Sequence, residues 1–160
     1  MRPGVRRGYD PRVRALGFDF GRKRIGVAIS DATGTLARPL TVLRGGRADT
    51  LDQVVALVAT LANEEDGLAA VVVGLPRRLD GSPHGLTADV QAFAAALAAR
   101  ISVPIAFQDE RLSSHEAEAR LTATDRSWRS RKARLDAAAA AVILQDYLDA
   151  RPGSASPGAI

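Results

Sequence analysis

Apolar residues come in short blocks at the start of the chain and at helical spacing further on. Residues 14–20, Arg-Ala-Leu-Gly-Phe-Asp-Phe, are a compact apolar run closed by Gly21, which reads as a strand. Gly21-Arg-Lys-Arg forms a tight turn into a returning strand, residues 25–30, and Asp31-Ala-Thr-Gly turns the chain again. A third strand follows from Leu36 to Leu43, where Pro39 suggests an edge position because it cannot donate to a ladder. The opening is therefore an antiparallel three-strand meander. The period then changes: Leu51, Val54, Val55, Val58 and Leu61 predict a helix over 48–64. Residues 68–75 are almost wholly apolar, as a central parallel strand covered on both faces must be.

Pro76 to Gly85 is rich in Gly, Pro and Asp and reads as a loop, followed by an Ala-rich helix over 87–100 and a strand over 103–108. A helix is expected over 113–123, entered through Ser113 or Ser114 with Glu116 placed for a capping box. Residues 124–133 are polar and basic, a stretch that reads as a loop. The last predicted helix, 134–148, has Leu135, Ala138, Ala139, Val142, Ile143 and Leu144 as its apolar stripe. The order βββ-α-β-α-β-α-α gives an α/β fold, a five-stranded mixed sheet of a three-strand meander plus two parallel strands, with helices on both faces. In such sheets ligands sit at the carboxyl ends of the central strands.

The 160 residues fit one domain, expected over 14–149, between a mobile basic N-terminal arm (1–13) and a disordered tail (150–160). No apolar run approaches the roughly 20 residues needed to span a bilayer, and no apolar segment follows the basic N-terminus, so a cytoplasmic location is expected. There is no cysteine, which excludes disulfides, thiolate metal sites and thiol nucleophiles. With two histidines, His84 and His115, any metal must be held by oxygens, which favours Mg²⁺ or Mn²⁺ over zinc. The net charge is +4, carried almost entirely by arginine, since the only lysines are Lys23 and Lys132. Arginine suits bidentate phosphate contacts, although an Ala- and Arg-rich composition also follows from codon bias.

Three carboxylates stand where their surroundings do not favour them. Asp19 lies between Phe18 and Phe20 in an apolar strand, and desolvating it costs several kcal/mol unless something compensates. It either caps the Gly21–Arg24 turn or pairs with Arg24, or a metal ion compensates it. Asp109 and Glu110 close the fifth strand, and alternation allows only one of them to face a given site without saying which. The pair also reads as an acidic turn neutralised by Arg111. Asp136 is placed to open the last helix, where capping and the helix dipole alone would favour it. Topology allows all three to meet beside the middle of the sheet. Such an oxygen-only set, leaving several waters on the metal, is what two-metal phosphoryl transfer needs.

The segments Leu16-Gly-Phe-Asp-Phe-Gly-Arg-Lys-Arg-Ile-Gly-Val-Ala, Val73-Gly-Leu-Pro, Asp80-Gly-Ser, Asp109-Glu-Arg-Leu-Ser-Ser and Lys132-Ala-Arg-Leu-Asp resemble, in order, the YqgF family, also called RuvX. The resemblance spans about 14–149. It implies an RNase H-like fold, kinship with Holliday junction resolvases, and processing of pre-16S rRNA in ribosome biogenesis. It also places the family's acidic residues on Asp19, on the Asp-Glu-Arg motif at 109–111, with Glu110 taken as the site carboxylate over Asp109, and on Asp136. The basic N-terminal arm and the Pro/Gly-rich tail depart from the family pattern without touching these motifs.

Nucleic-acid contacts are expected from Arg77 and Arg78, in a loop before a helix N-terminus that would receive a phosphate, and from Arg111. Trp128 stands among basic residues including Arg129, Arg131 and Lys132; these would bind phosphates while the indole stacks on an unpaired base. Gly17, Gly21 and Gly26 read either as sites of close backbone approach or as ordinary turn and packing glycines. The expected partner is nucleic acid, pre-rRNA or branched DNA, acted on by a monomer or weak homodimer. Two competing functions are a junction resolvase and a non-catalytic RNA-binding assembly factor. A third is an ATP-handling domain, since Asp19-Phe-Gly-Arg-Lys-Arg-Ile-Gly resembles the phosphate hairpin of actin-like ATPases; a P-loop is absent and the chain is too short for a second lobe.

Overall fold

The structure is a computed structural model that describes residues 13–21, 23–76, 85–109 and 128–151. Strands β1 (Ala15–Phe20), β2 (Arg24–Ser30) and β3 (Ala37–Arg44) form the meander, and α1 (Arg47–Ala62) follows. Then come β4 (Ala70–Leu75), α2 (Thr87–Ala98), β5 (Ile105–Asp109) and α3 (Trp128–Ala150). The sheet order is β3-β2-β1-β4-β5, with β1 antiparallel to β2 and parallel to β4. The first strand of the chain is thus the middle strand of the sheet, and β3 lies at an edge, as Pro39 suggests. The expected helix 113–123 falls outside the described residues, as do the expected terminal segments apart from their inner ends. Among the described residues no helix is long and apolar enough to cross a membrane.

Strand alternation divides the molecule into two apolar layers. Leu16, Phe18, Phe20, Ile25 and Val27 point to one face and pack with Val54 and Val58 of α1 and Val90, Phe93 and Leu97 of α2. The other face carries small residues, Ala15, Ala28, Ala70 and Val72, and receives Ala140, Ile143, Leu144 and Leu148 of α3. Small side chains on both partners let this helix lie close to the sheet. A Cβ on Gly17 would stand 2.8 Å from the Leu144 Cβ, and one on Gly26 would land on the main-chain carbonyl of Asp136. Gly17 and Gly26 are therefore packing glycines, and what approaches them is a helix.

Helix α3 begins at Trp128, six residues before the expected start at 134, so the basic stretch from 128 onward is helical and not a loop. Its polar composition hid the helix, because this part carries no apolar stripe. The buried positions are Ala137, Ala139, Ala140, Ile143, Leu144 and Leu148, whereas Ala138 and Val142, expected in the stripe, are half-buried. Gln145 fixes the helix along its axis: its amide oxygen accepts from Ala37 N–H at 2.9 Å and its amide nitrogen donates to the Thr35 carbonyl at 2.9 Å. The turn it grips is shaped by Asp31, whose carboxylate accepts from Thr35 N–H at 2.8 Å, Leu36 N–H at 3.1 Å and the Thr33 hydroxyl at 2.6 Å.

Three outcomes follow from this packing. Gly26→Ala forces the sheet and helix apart where no flexible side chain gives way, and is expected to cost about 3 kcal/mol or more in chemical denaturation. Gln145→Leu leaves the Ala37 N–H and the Thr35 carbonyl without their partner and is expected to cost about 1–3 kcal/mol by the same measurement. For Asp31, slight burial is the largest single influence and works to raise the pKa, but the hydrogen bonds from Thr33, Leu36 and Thr35 together hold it below 3.8. A depressed folded-state pKa contributes stability above the unfolded value that is lost as pH falls through the folded one. Stability measured from pH 5 to about 2 should therefore fall less steeply in Asp31→Ala than in the parent chain.

Candidate active site at the carboxyl edge of the sheet

The parallel strands β1, β4 and β5 all end on one edge of the sheet. The antiparallel partners bring the start of β2 and the end of β3 to that edge, where Arg24 stands opposite Arg44. Alternation along β1 puts Leu16, Phe18 and Phe20 on the face covered by α1 and α2. Asp19 therefore shares the α3 face with Ala15 and Gly17. It is half-buried and stands in register with Gly26 of β2.

Gly26 is the residue on which Asp136 packs, so the glycine joins the two carboxylate-bearing elements. Two side chains 117 positions apart in sequence are brought to one corner of one face. Asp136 does not open α3, as expected from sequence, but lies more than two turns inside it. Its presence is therefore not explained by helix capping, which acts only in the first turn. Its carboxylate pairs with the Arg24 guanidinium at 3.5 Å. Both groups keep some exposure, so the pair is worth at most about 1 kcal/mol and is easily rearranged. Arg24 thus partners the helix carboxylate, a contact the sequence reading weighed only for Asp19.

The register of β5 bears on the second carboxylate. Asp109 stands level with Leu75, and Val73 and Leu75 belong to the α1/α2 core. Side chains level in parallel strands share a face, so Asp109 is directed to the side of the sheet opposite Asp19. Glu110 lies outside the described residues, as do Arg77, Arg78 and Arg111. Among the described residues no group of three acidic or histidine side chains forms a metal cage. Trp128, Arg129, Arg131 and Lys132 occupy the first turns of α3, on the N-terminal side of Asp136 and so toward the same edge of the sheet. At the start of α2 the Thr87 hydroxyl donates to the Pro76 carbonyl at 2.6 Å, tying the end of β4 to the helix entrance.

Two residues at this corner escaped the sequence reading as ligand candidates, Lys23 and Arg44. Both are exposed, and the only signal for them is their position: the ends of adjacent antiparallel strands must coincide.

Comparisons with known proteins agree with this architecture. The chain is 45% identical over 139 residues to a protein of Anaeromyxobacter sp. (strain Fw109-5), covering 87% of this chain and 98% of that one. It is 43% identical over 162 residues to one of Nocardioides sp. (strain ATCC BAA-499 / JS614), covering 100% and 97%. Both relatives bear the name "Putative pre-16S rRNA nuclease". Among solved structures, Thermus thermophilus RuvC superposes with a TM-score of 0.51 at 18% identity, over 89% of this chain and 98% of that one, a likeness of fold. The family model described as "RuvX: Holliday junction resolvase" matches residues 13–150, and the chain belongs to the RuvX family, with the RNase H-like fold its sheet order displays.

Proposed function

We propose that this chain is a divalent-metal-dependent nuclease that hydrolyses phosphodiester bonds in structured nucleic acid, with pre-16S rRNA as substrate. The observation that carries the reading is the meeting of Asp19 and Asp136 over Gly26 at the carboxyl edge of the sheet. A half-buried acid in an apolar strand, placed beside a second acid inside a helix, makes a local negative charge that favours a cation. The names of the relatives point to the same chemistry and to the substrate.

The donor chemistry fits a hard metal. The chain offers carboxylate oxygens and no thiolate, the ligand type preferred by Mg²⁺ and Mn²⁺. Asp19, Asp136 and Glu110 would hold it. The register that turns Asp109 to the opposite face supports Glu110 as the third member. When bound, the metal supplies an activated water and neutralises charge on the phosphoryl group. The protein's own share is positioning. Asp19 is held by the middle strand of the sheet, and Asp136 by a helix seated on glycine and fixed along its axis by Gln145. Hydrolysis adds water across one P–O ester bond and leaves a phosphate monoester and a hydroxyl. Arg77, Arg78 and Arg111, with Trp128, Arg129, Arg131 and Lys132 on the first turns of α3, would hold the backbone on either side of that bond. The family's description as a Holliday junction resolvase supports a second substrate, four-way DNA junctions, and the same assay decides between the two.

Purified protein is incubated with pre-16S rRNA fragments or with a four-way DNA junction, in Mg²⁺, Mn²⁺ or EDTA. Cleavage of the RNA that EDTA abolishes is expected, with Asp19→Asn slower by roughly a hundredfold or more while RNA affinity is retained. Equal cleavage by Asp19→Asn would remove the assigned site. Binding without hydrolysis by the parent chain would instead support an assembly factor.

A further inference from the structure

We propose that Lys23, Arg24 and Arg44 form a phosphate clamp that seats the nucleic-acid backbone on the β3 side of the carboxylates. The inference rests on the reading of the chain as a nucleic-acid enzyme and extends it to Arg44, which lies in none of the motifs, and to Lys23 and Arg24, which the motifs include without assigning them a nucleic-acid contact.

The argument begins with a local cost. Arg24 and Arg44 are directly opposite on adjacent antiparallel strands, and both face the α3 side, as Gly26 and its partner Val42 do next to them. Like charges directly opposite across a strand pair are destabilising, because their side chains leave the backbone only about 5 Å apart. One acid, Asp136, compensates Arg24, at 3.5 Å. Among the described residues no acidic side chain pairs with Arg44 or with Lys23, which is exposed in the β1–β2 turn at the same edge. Of the exposed cations elsewhere in the described molecule, Arg47 has Asp89 at 3.6 Å and Arg100 has Asp52 at 2.7 Å, whereas Arg38 on β3 has no acidic partner among the described residues. Arg38 stands singly, whereas at the corner beside Asp19 and Asp136 three cations are gathered, two of them directly opposite each other.

The scaffold under this charge is fixed. The Arg44 carbonyl accepts a hydrogen bond from the Gln53 side chain at 2.9 Å, which ties the end of β3 to α1. The Gly21 N–H donates to the Arg24 carbonyl at 2.8 Å and closes the turn that carries Lys23. Guanidinium groups on a hydrogen-bonded backbone suit phosphate oxygens, which they bind in a bidentate fork. The sheet order gives the clamp its meaning. Strands β4 and β5 lie on one side of the middle strand, and β2 and β3 on the other. A backbone held by Lys23, Arg24 and Arg44 on the β2–β3 side and running toward β4 crosses the edge of the sheet over Asp19.

The test measures anisotropy of a fluorescently labelled stem–loop RNA over a KCl series, with the metal chelated. The variants are Arg44→Gln, the double variant Lys23→Gln/Arg44→Gln, and Arg38→Gln near the far end of β3, which removes the same charge away from the site. Arg44→Gln is expected to bind roughly three- to tenfold more weakly and to lower the salt slope by about one, and the double variant by about two. Arg38→Gln should match the parent chain. Because Arg44→Gln relieves a like-charge pair, its melting temperature should equal or exceed the parent value, which separates lost contact from lost fold. Unchanged affinity and slope in the double variant would overturn the clamp, as would an equal loss in Arg38→Gln. Hydrolysis by the parent chain, assayed separately, keeps the two readings apart. Arg44-dependent binding without cleavage removes the nuclease and leaves the clamp, whereas cleavage with an unaltered double variant removes the clamp alone.

Discussion

The arrangement of this molecule depends on how closely a single helix can lie against a sheet. Helix α3 packs on one face, and it does so at short range because Gly17 and Gly26 offer it no side chain. The alanines of the helix complete the fit. A layer built from small residues gains less per residue from apolar burial than the Val-, Leu- and Phe-rich layer on the opposite face. What the small layer gains is distance: the main chain of Asp136 rests on the strand next to Asp19. Packing and placement of charge are here the same interaction, and neither can be altered without the other.

The two faces of the sheet accordingly divide the work. The layer of Phe18, Phe20, Val71 and Val73 against α1 and α2 holds the fold, and aromatic contact between Phe20 and Phe93, with ring centroids 4.9 Å apart, closes it near the site. The α3 layer carries the polar corner, where two acids and three basic residues gather at the ends of β1, β2 and β3. On the proposed reading this corner is electrostatically incomplete without its ligands. The carboxylates would hold a cation, and Lys23 and Arg44 would hold phosphate. Nucleic acid and a divalent metal supply both complements together.

Much of this was legible in the sequence. The meander, the buried parallel strand Ala70–Leu75 and the edge strand follow from apolar blocks and turn residues, since alternation and Gly/Pro punctuation are local signals. The start of α3 was not, because residues 128–133 are polar and basic and give no periodic stripe. The error mattered for Asp136, which reads as a cap when the helix is started too late. The second carboxylate was open for another reason. Alternation relates neighbours within β5 but is silent about the face, which only the pairing of Asp109 with Leu75 and the packing of Leu75 decide. Lys23 and Arg44 were invisible because nothing in a linear pattern marks the ends of two strands as one place.

The helix that completes the site is also the last described element in chain order. Asp19 is made early and enters the middle of the sheet, whereas Asp136 follows 117 residues later. Chains emerge from the ribosome N-terminus first, and early elements can collapse before late ones exist. A nascent chain that has paired β1 to β5 still has a bare α3 face and one of its two carboxylates missing. Assembly of the proposed acidic pair is thereby tied to near-completion of the domain, so an early-folding part of the chain holds only half of it.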